Sequence, residues 1–391
     1  MKRSSSNSHQ PSAISRQPEK ISLKTSLMPG AEKILVVQTS FLGDLVLTTP
    51  LIAEVRRHFP KAHLSVLCAP MGKDILAGHP DIDEIIAYRK RREGGRRQSL
   101  RRLAQELRSR NFTLALSPHK SLRTALLLFL ARIPRRIGFR QSAGWFLYHQ
   151  RVNRDASRHD VDRNLALLGP LGVELRERGR APRLEVSVAA RESVERLFHS
   201  LGIGGGEIVF GVNPGSVWHT KRWTPEGYAK LIVALKRKYG GQIVLFGGPD
   251  DREVVEKILA LSDNAASSLV GRIGLGELAA AVERCDVFIT NDSGPMHVAV
   301  ARGVPVVAIF CATTPSLGFY PYAAKAVVVE KELSCRPCGA HGGRRCPLGT
   351  EDCMRLIKAE DVLLGVDRLL EQSSRETAPG ADPYLPQSIV V

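Results

Sequence analysis

The first stretch of this sequence with residues suited to chemistry is QTSFLGDLVLTTP, in which Gly43 permits a tight backbone and Asp44 opens the run that follows. Aspartate is a favoured capping residue and its charge complements the positive end of a helix, so the local sequence favours a structural role for Asp44. The alternative role is that of a general base facing a cleft. Local sequence alone leaves both roles open.

A second such stretch is VNPGSVWHTKRWTPEGYAKL, which offers the Ser216 hydroxyl and the two cations Lys221 and Arg222. Thr224 is placed to cap the next helix, with Pro225 at its first position. A flexible loop with backbone N–H groups, a hydroxyl and positive charge suits a diphosphate. The alternative is a solvated basic loop.

The third stretch with this chemistry is VFITNDSGPMHVAVARGVPVVAIF. An apolar strand stops at a polar turn, where Asp292 or Ser293 is expected to cap a helix that begins near Pro295. Gly294 leaves room for a ligand against the backbone, and a helix N-terminus attracts anions. A single histidine is more often structural, but His297 stands one turn into the helix beside Asp-Ser-Gly at a strand end, which favours contact with the same anion.

Standard nucleotide-binding signatures are missing from the sequence. There is no Gly-x-x-x-x-Gly-Lys-Ser/Thr loop and no turn fits Gly-x-Gly-x-x-Gly, which disfavours a nucleoside triphosphatase or a standard dinucleotide enzyme. The loop LFGGPDDREVVEKI allows a flat ligand to approach its backbone, but its Gly-Gly-Pro-Asp is also an ordinary turn.

These loops belong to two series of strand-like runs that alternate with helical runs, which predicts an α/β protein with two parallel sheets. We assign residues 31–185 to the first domain and 206–370 to the second, with a linker at 186–205. Ligands of such sheets bind at the carboxyl ends of the strands, so the cleft between the domains is the expected site. Residues 1–30 and 371–391 are expected to be loose tails.

The charge of the chain is concentrated in one segment. The 391 residues, 43% of them hydrophobic, carry a formal net charge of +17, and residues 85–158 contain 19 Lys and Arg against three acids. Such a block favours a polyanionic partner, namely nucleic acid, an anionic membrane or an acidic saccharide, although arginine-rich helices can simply be solvated. No apolar run is long enough to span a bilayer and no secretory signal is present, so we expect a cytoplasmic protein, soluble or peripheral.

The seven cysteines fall into two groups. Cys68, Cys285 and Cys311 lie in apolar runs and are expected in the core. The other four form a cluster whose spacing fits zinc, an iron–sulfur cluster or disulfide bridges only imperfectly, so its role stays open: Cys335, Cys338, Cys346 and Cys353.

Taken together, four segments resemble glycosyltransferase family 9, the ADP-heptose:lipopolysaccharide heptosyltransferases, and most of all the heptosyltransferase II branch. The resemblance extends from about Lys33 to about Leu370. It rests on SFLGDLVLTTPLIAEVRRHFP, NPGSVWHTKRWTPEGYAKL, LVGRIGLGELAAAVERCDVFITNDSGPMHVAVARGVPVVAIF and CRPCGAHGGRRCPLGTEDC. Each loop alone is unspecific, whereas the combination is specific.

The resemblance implies a GT-B fold, with two Rossmann-like domains facing a cleft, and sugar transfer with inversion. It places the base that deprotonates the acceptor on Asp44, which reverses the preference for a mere cap. It implies no catalytic metal and no cofactor, because helix ends and Lys221 supply positive charge for the departing diphosphate. The donor-binding residues it implies are Ser216, Lys221, Asp292, Ser293, Gly294 and His297.

Other contacts follow less directly. Some relatives hold the ribose with an acidic residue after the LFG strand; here Gly248-Pro249 stands there, and Asp250 is our candidate. The family's acceptor is the lipid A–core region of lipopolysaccharide, for which Lys120, Arg123 and Arg140 are candidates, and the basic block would also attract the anionic inner-membrane surface.

Two alternatives stay open. One is a family 9 enzyme that uses another nucleotide sugar in cell-surface glycan synthesis. The other is a non-catalytic nucleic-acid-binding protein that uses the basic block at 85–158. Aromatic residues are sparse in that block, which argues against a stacking platform for nucleic acid.

Overall fold

The structure is a computed structural model that describes residues 33–89, 99–175, 180–373 and 382–391. The predicted tail over residues 1–30 lies outside these ranges, and so do residues 90–98 of the basic block. Within the described ranges, no helix combines the length and the apolar character needed to cross a membrane.

The amino-terminal half is built on a parallel sheet of six described strands in the order β3-β2-β1-β4-β5-β6. Its central strands are largely apolar and buried because helices cover both faces of a parallel sheet. The strands are β1 (Lys33–Gln38), β2 (His63–Cys68), β3 (Glu84–Ala87), β4 (Leu114–Ser117), β5 (Arg135–Phe139) and β6 (Gln150–Val152). The helices are α1 (Leu42–Val46), α2 (Thr49–His58), α3 (Gly72–Ile75), α4 (Leu100–Ser109), α5 (Leu122–Leu130) and α6 (Asp160–Leu165).

The carboxyl-terminal half has a second parallel sheet, in the order β13-β12-β11-β10-β7-β8-β9. Its strands are β7 (Val209–Asn213), β8 (Gln242–Leu245), β9 (Ser267–Ser268), β10 (Val287–Asn291), β11 (Val306–Phe310), β12 (Ala326–Glu330) and β13 (Gln387–Val390). Its helices are α8 (Pro225–Tyr239), α9 (Arg252–Leu261), α10 (Leu275–Glu283), α11 (Gly294–Ala301), α12 (Asp352–Arg355) and α13 (Ala359–Ser373). As predicted, Thr224 caps α8, since its hydroxyl accepts the Gly227 N–H at 3.1 Å, and Pro225 follows it.

One apolar cluster spans both halves of the molecule. It includes Leu45 and Val46 on α1 and Val298 and Ala299 on α11, all fully buried or nearly so. Because α1 and α11 pack against each other, the loops that precede these two helices meet at the bottom of the cleft.

The segment predicted as a linker, 186–205, is instead largely helical. Helix α7 (Val188–Ser200) begins at Ser187, whose side chain accepts the Ala190 N–H. It packs on α10, where the Ser193 hydroxyl donates to Glu277 at 2.5 Å and Arg191 pairs with Glu283 at 2.9 Å. The proline and glycines that flank α7 made its sequence look like a linker. The helix is stabilised by its packing on α10.

The prediction of a loose tail over 371–391 is wrong at both ends of that range. Helix α13 continues to Ser373, and β13 adds a parallel edge strand to β12, with Ile389 paired to Val329. Ile389 is buried. A four-residue strand that depends on a distant partner gives too short a pattern to recognise from sequence.

Candidate active site

A cavity of about 780 Å³ lies between the two halves, at the carboxyl ends of both sheets. The loops after β1, β7, β8 and β10 line it. Residues from all three stretches with residues suited to chemistry, those of Asp44, Lys221 and Asp292, therefore line the cavity. The candidate residues that line it are Asp44, Ser216, Lys221, Asp250, Asp292, Ser293, Gly294 and His297.

Asp44 is the third residue of α1 and is partly buried at the cleft. Its Oδ2 accepts the Phe41 N–H at 3.3 Å, so the carboxylate does stabilise the helix start. Its pKa is raised to about 6, chiefly because burial disfavours the charge and then because Asp160 is negative; Arg154 and Lys120 oppose the rise. A carboxylate with a pKa near 6 is ionised at neutral pH and still basic enough to take a proton, as a general base requires.

His297 lies directly against the loop that carries Asp44. A Cβ added to Gly43 would lie 2.8 Å from His297 Cδ2, and one added to Gly294 would lie 3.0 Å from Leu42 Cβ. Glycine at both places thus allows the two halves to touch beside Asp44. A side chain at either position would collide with the other half of the molecule, so the close contact between α1 and α11 depends on these two glycines.

The His297 imidazole is neutral. It is 4% exposed, and burial, followed by the positive charge of Lys221, lowers its pKa to about 3. Its Nδ1 has no hydrogen-bond partner among the described residues. A neutral imidazole can offer an anion a hydrogen bond but no charge, so positive charge for a ligand has to come from elsewhere.

Lys221 and Asp292 form an ion pair across the donor-side loops. Lys221 Nζ lies 2.6 Å from Asp292 Oδ2, and both side chains are largely buried. The Thr313 hydroxyl also donates to Asp292, at 2.7 Å. The pair holds the ammonium at the cavity wall, where an incoming anionic ligand would compete with Asp292 for it.

The predicted cap of α11 is wrong. Ser293 occupies the position before the helix, but its side chain makes no capping hydrogen bond and instead contacts the Thr290 hydroxyl at 3.2 Å. Asp292 turns towards Lys221. Neither side chain therefore occupies the positive end of α11, which faces the cavity.

Arg222 has a structural role that the sequence did not predict. Its Nε donates to the Ser216 carbonyl at 2.7 Å, and its Nη2 lies 3.4 Å from Asp251 Oδ1. It joins the loop after β7 to the loop after β8. Of the two cations in that stretch, Lys221 alone is directed to Asp292.

Asp251, rather than its neighbour Asp250, organises the loop after β8. Asp251 Oδ2 accepts the Gly248 N–H at 3.0 Å, and a Cβ on Gly215 would lie 2.4 Å from the same oxygen. Because Gly248 has no side chain, this bond from the Gly248 N–H to a carboxylate three residues later is only one half of a capping box. Asp250 is exposed at the cavity wall.

His341 is a cavity residue that sequence reasoning missed. It lies in the cysteine-rich segment, and no strand-end motif of the sequence marks its place in the cavity. Burial lowers its pKa first, followed by the positive charges of Lys221 and Lys120. Gly343 fixes this segment to the Lys221 loop, because its N–H donates to the Thr220 hydroxyl at 2.8 Å.

The four clustered cysteines are free thiols. Burial raises the pKa of Cys353, and the other three thiols add to the rise, which Arg336 opposes. Within the described ranges, no group of three or more His, Cys, Asp or Glu is placed to hold a metal ion. The three cysteines predicted in the core are buried.

The three acceptor candidates lie outside the cavity lining. Lys120 is exposed and close enough for its charge to lower the pKa of Asp44. Arg123 Nε donates to the Tyr88 hydroxyl at 2.5 Å. Arg140 is exposed, and its backbone N–H pairs with the Val152 carbonyl.

Comparison with known proteins identifies the family. Residues 100–345 match the model of glycosyltransferase family 9 (heptosyltransferase). The chain is 28% identical over 310 residues to lipopolysaccharide heptosyltransferase 2 of Salmonella typhimurium, covering 76% of this chain and 88% of that protein.

Solved structures agree with this assignment. A family 9 glycosyltransferase from Veillonella parvula superimposes with a TM-score of 0.76 at 28% identity, covering 87% of this chain and 97% of that one. The ADP-heptose LPS heptosyltransferase II of E. coli gives a TM-score of 0.72 at 26% identity, with 88% and 100% covered. The predicted GT-B arrangement of two parallel-sheet domains is confirmed. The chain belongs to glycosyltransferase family 9 and is an enzyme of the transferase class.

Proposed function

We propose that this protein transfers heptose from ADP-heptose to the inner core of lipopolysaccharide, with inversion and with Asp44 as the general base. The observation that carries the proposal is that Asp44, a carboxylate whose pKa is raised to about 6, lines the same cavity as the start of α11 and Lys221. The relatives support the donor and the acceptor, since they are a lipopolysaccharide heptosyltransferase and an ADP-heptose LPS heptosyltransferase.

On the donor side, the diphosphate takes the place at the start of α11 and draws the Lys221 ammonium from Asp292. The two charges of the ion pair are already partly desolvated, so little further desolvation is needed when the diphosphate replaces the carboxylate. Ser216 and the neutral imidazole of His297, which both line the cavity, supply hydrogen bonds. Asp250, exposed at the cavity wall, contacts the ribose.

The transfer step follows from this placement. An acceptor hydroxyl loses its proton to Asp44 as its oxygen attacks the anomeric carbon from the face opposite the diphosphate. The bond from the anomeric carbon to the diphosphate oxygen breaks, and its electron pair leaves with ADP. Lys221 and the α11 amides stabilise the charge that develops on this leaving group. Attack from the opposite face inverts the anomeric centre.

The acceptor is a polyanionic lipid, which fits the position of the basic block on the amino-terminal half. Lys120, Arg123 and Arg140 contact its carboxylates and phosphates, and the enzyme works in the cytoplasm at the anionic inner face of the membrane. Exposed cations of this kind gain affinity from several weak contacts rather than from one strong contact.

A nucleotide panel tests the donor assignment. ADP and ADP-heptose are expected to raise the melting temperature, because a ligand that binds only the folded state stabilises it, and UDP is expected to have little effect. Stabilisation by UDP or UDP-sugars alone would favour a family 9 enzyme with another donor. Absence of any nucleotide effect would overturn the proposal.

A further inference from the structure

The outer face of α5 and the adjacent turn at Trp145–Leu147 expose large apolar side chains. Trp145 is 47% exposed and Phe146 57% exposed, and Phe129 on α5 is 48% exposed. Buried residues of the same helix, such as Leu127 and Leu128, face the core, so the exposed ones lie on the opposite side. We call these residues the apolar face: Leu122, Phe129, Leu130, Trp145 and Phe146.

The apolar face is one continuous surface. A Cβ on Gly144 would lie 2.4 Å from Ala125 Cβ and 3.3 Å from Leu122 Cα, so the turn rests on the start of α5. At the other end of α5, Arg136 Nε donates to the Leu147 carbonyl at 2.9 Å, and its guanidinium lies 5.5 Å from the centre of the Phe129 ring. Large contiguous apolar patches on a protein surface usually mark a binding site.

Basic residues accompany this face. The sequence from Leu107 to Arg154 contains no Asp or Glu. Two cations of this stretch are nevertheless paired with acids from outside it, Arg110 with Glu84 and Glu106 and Arg154 with Asp160. The Arg151 guanidinium lies over the Trp145 ring, 4.9 Å from its centre. The basic residues of that stretch are Arg108, Arg110, Lys120, Arg123, Arg132, Arg135, Arg136, Arg140, Arg151 and Arg154.

We propose that the apolar face docks on an anionic lipid bilayer, with Trp145 and Phe146 inserted at the headgroup level. Aromatic side chains favour that depth, and apolar burial combined with attraction to anionic lipid is how peripheral proteins bind membranes. A second copy of the chain is a poorer occupant. A two-fold contact would set each apolar face and its cations against the same cations of the partner.

Docking by this face brings the membrane to the cleft. Helix α5 starts directly after the loop that carries Lys120, and the charge of Lys120 acts on Asp44. A lipid-anchored acceptor would thus enter beside the base. This last step rests on the proposed function, whereas membrane binding itself does not depend on the transfer chemistry.

The test is vesicle binding by the full chain, measured without donor or acceptor. We expect tighter binding to vesicles that contain phosphatidylglycerol than to phosphatidylcholine alone, and weaker binding at high salt. Replacing both Trp145→Ser and Phe146→Ser is expected to lower the affinity about tenfold or more. Arg151→Gln is expected to lower it about fivefold, for anionic vesicles only.

The control is Val233→Ser with Leu261→Ser, two side chains of similar exposure on the carboxyl-terminal half, which should leave vesicle binding unchanged. ADP-induced stabilisation is measured on every variant and reports whether the fold and the donor site are intact. A failure of the donor site is thereby distinguished from a loss of membrane binding. Unchanged vesicle binding after the Trp145 and Phe146 substitutions would overturn the inference. So would a wild-type dimer in solution that these substitutions dissociate.

Discussion

Replacing Asp44→Asn removes the proposed base with little change in shape, and the expected result is a large loss of rate. Proton transfer to a positioned group contributes about 100- to 10,000-fold, so kcat should fall by that factor while ADP binding stays within about twofold. The wild-type rate should also decline below about pH 6, roughly tenfold per pH unit, because the carboxylate must be ionised to accept a proton.

The same substitution should stabilise the fold. The pKa of Asp44 is about 6 in the folded state against 3.8 for a model aspartate. Because the pKa of Asp44 is higher in the folded state, its contribution to the free energy of unfolding is greatest below the unfolded-state pKa. That contribution is lost as the pH rises through the folded-state pKa. The difference amounts to about 3 kcal/mol at neutral and higher pH, at about 1.4 kcal/mol per pKa unit. Asparagine still offers an oxygen to the Phe41 N–H, so the helix start is retained.

Two measurements check this prediction. Urea unfolding of both proteins, at about pH 4 and about pH 8, should show that Asp44→Asn is more stable than wild type by up to about 3 kcal/mol at the higher pH only. Transfer is measured by ADP release in the presence of acceptor. Asp74→Asn is the matched control, since Asp74 is an exposed aspartate in the first turn of α3. Retention of most of the rate, or a loss of stability at pH 8, would refute the role given to Asp44.

The remaining predictions concern the loops around Asp44. Lys221→Ala should weaken ADP binding about tenfold or more and leave adenosine binding unchanged in calorimetry, because the lost contact is to the diphosphate; equal losses for both would contradict it. Gly43→Ala should reduce the free energy of unfolding by about 1–3 kcal/mol, measured in urea, since the added methyl meets the His297 ring; an unchanged value would show that the halves separate easily. Asp251→Ala should raise the donor KM about tenfold with a smaller change in kcat, as it loosens the loops that Arg222 joins; an unaltered KM would count against that bracing role.

The strands that lead into the site were predictable because β1, β7 and β10 are largely apolar runs, each followed by a polar turn. That pattern placed Asp44, Lys221 and Asp292 at the carboxyl ends of strands, where parallel sheets bind ligands. Their presence around one cavity could be expected from this rule.

The contacts between loops could not be predicted, because they depend on how the two halves pack. Nothing local to Gly43 indicates that the His297 ring lies against it. Likewise, Lys221 and Asp292 were both expected at the donor, but their mutual ion pair depends on a turn anchored by Gly343, far along the chain. His341 reaches the cavity for the same reason.

Helix α7 and strand β13 were missed for a different reason. Their stability comes from partners distant in sequence, α10 and β12, and their own residues give short or interrupted patterns. Tertiary contacts outweigh local propensity in such segments.

The most direct test of the proposed activity is transfer itself. Purified protein is incubated with ADP-heptose and an inner-core lipopolysaccharide acceptor, and the acceptor mass, the released ADP and the anomeric configuration are followed together. We predict one heptose added per ADP released, with inversion, and addition by Asp44→Asn that is slower by about 100- to 10,000-fold. Retention of configuration, transfer from a UDP-sugar but not from ADP-heptose, or full activity of Asp44→Asn would contradict the proposed mechanism.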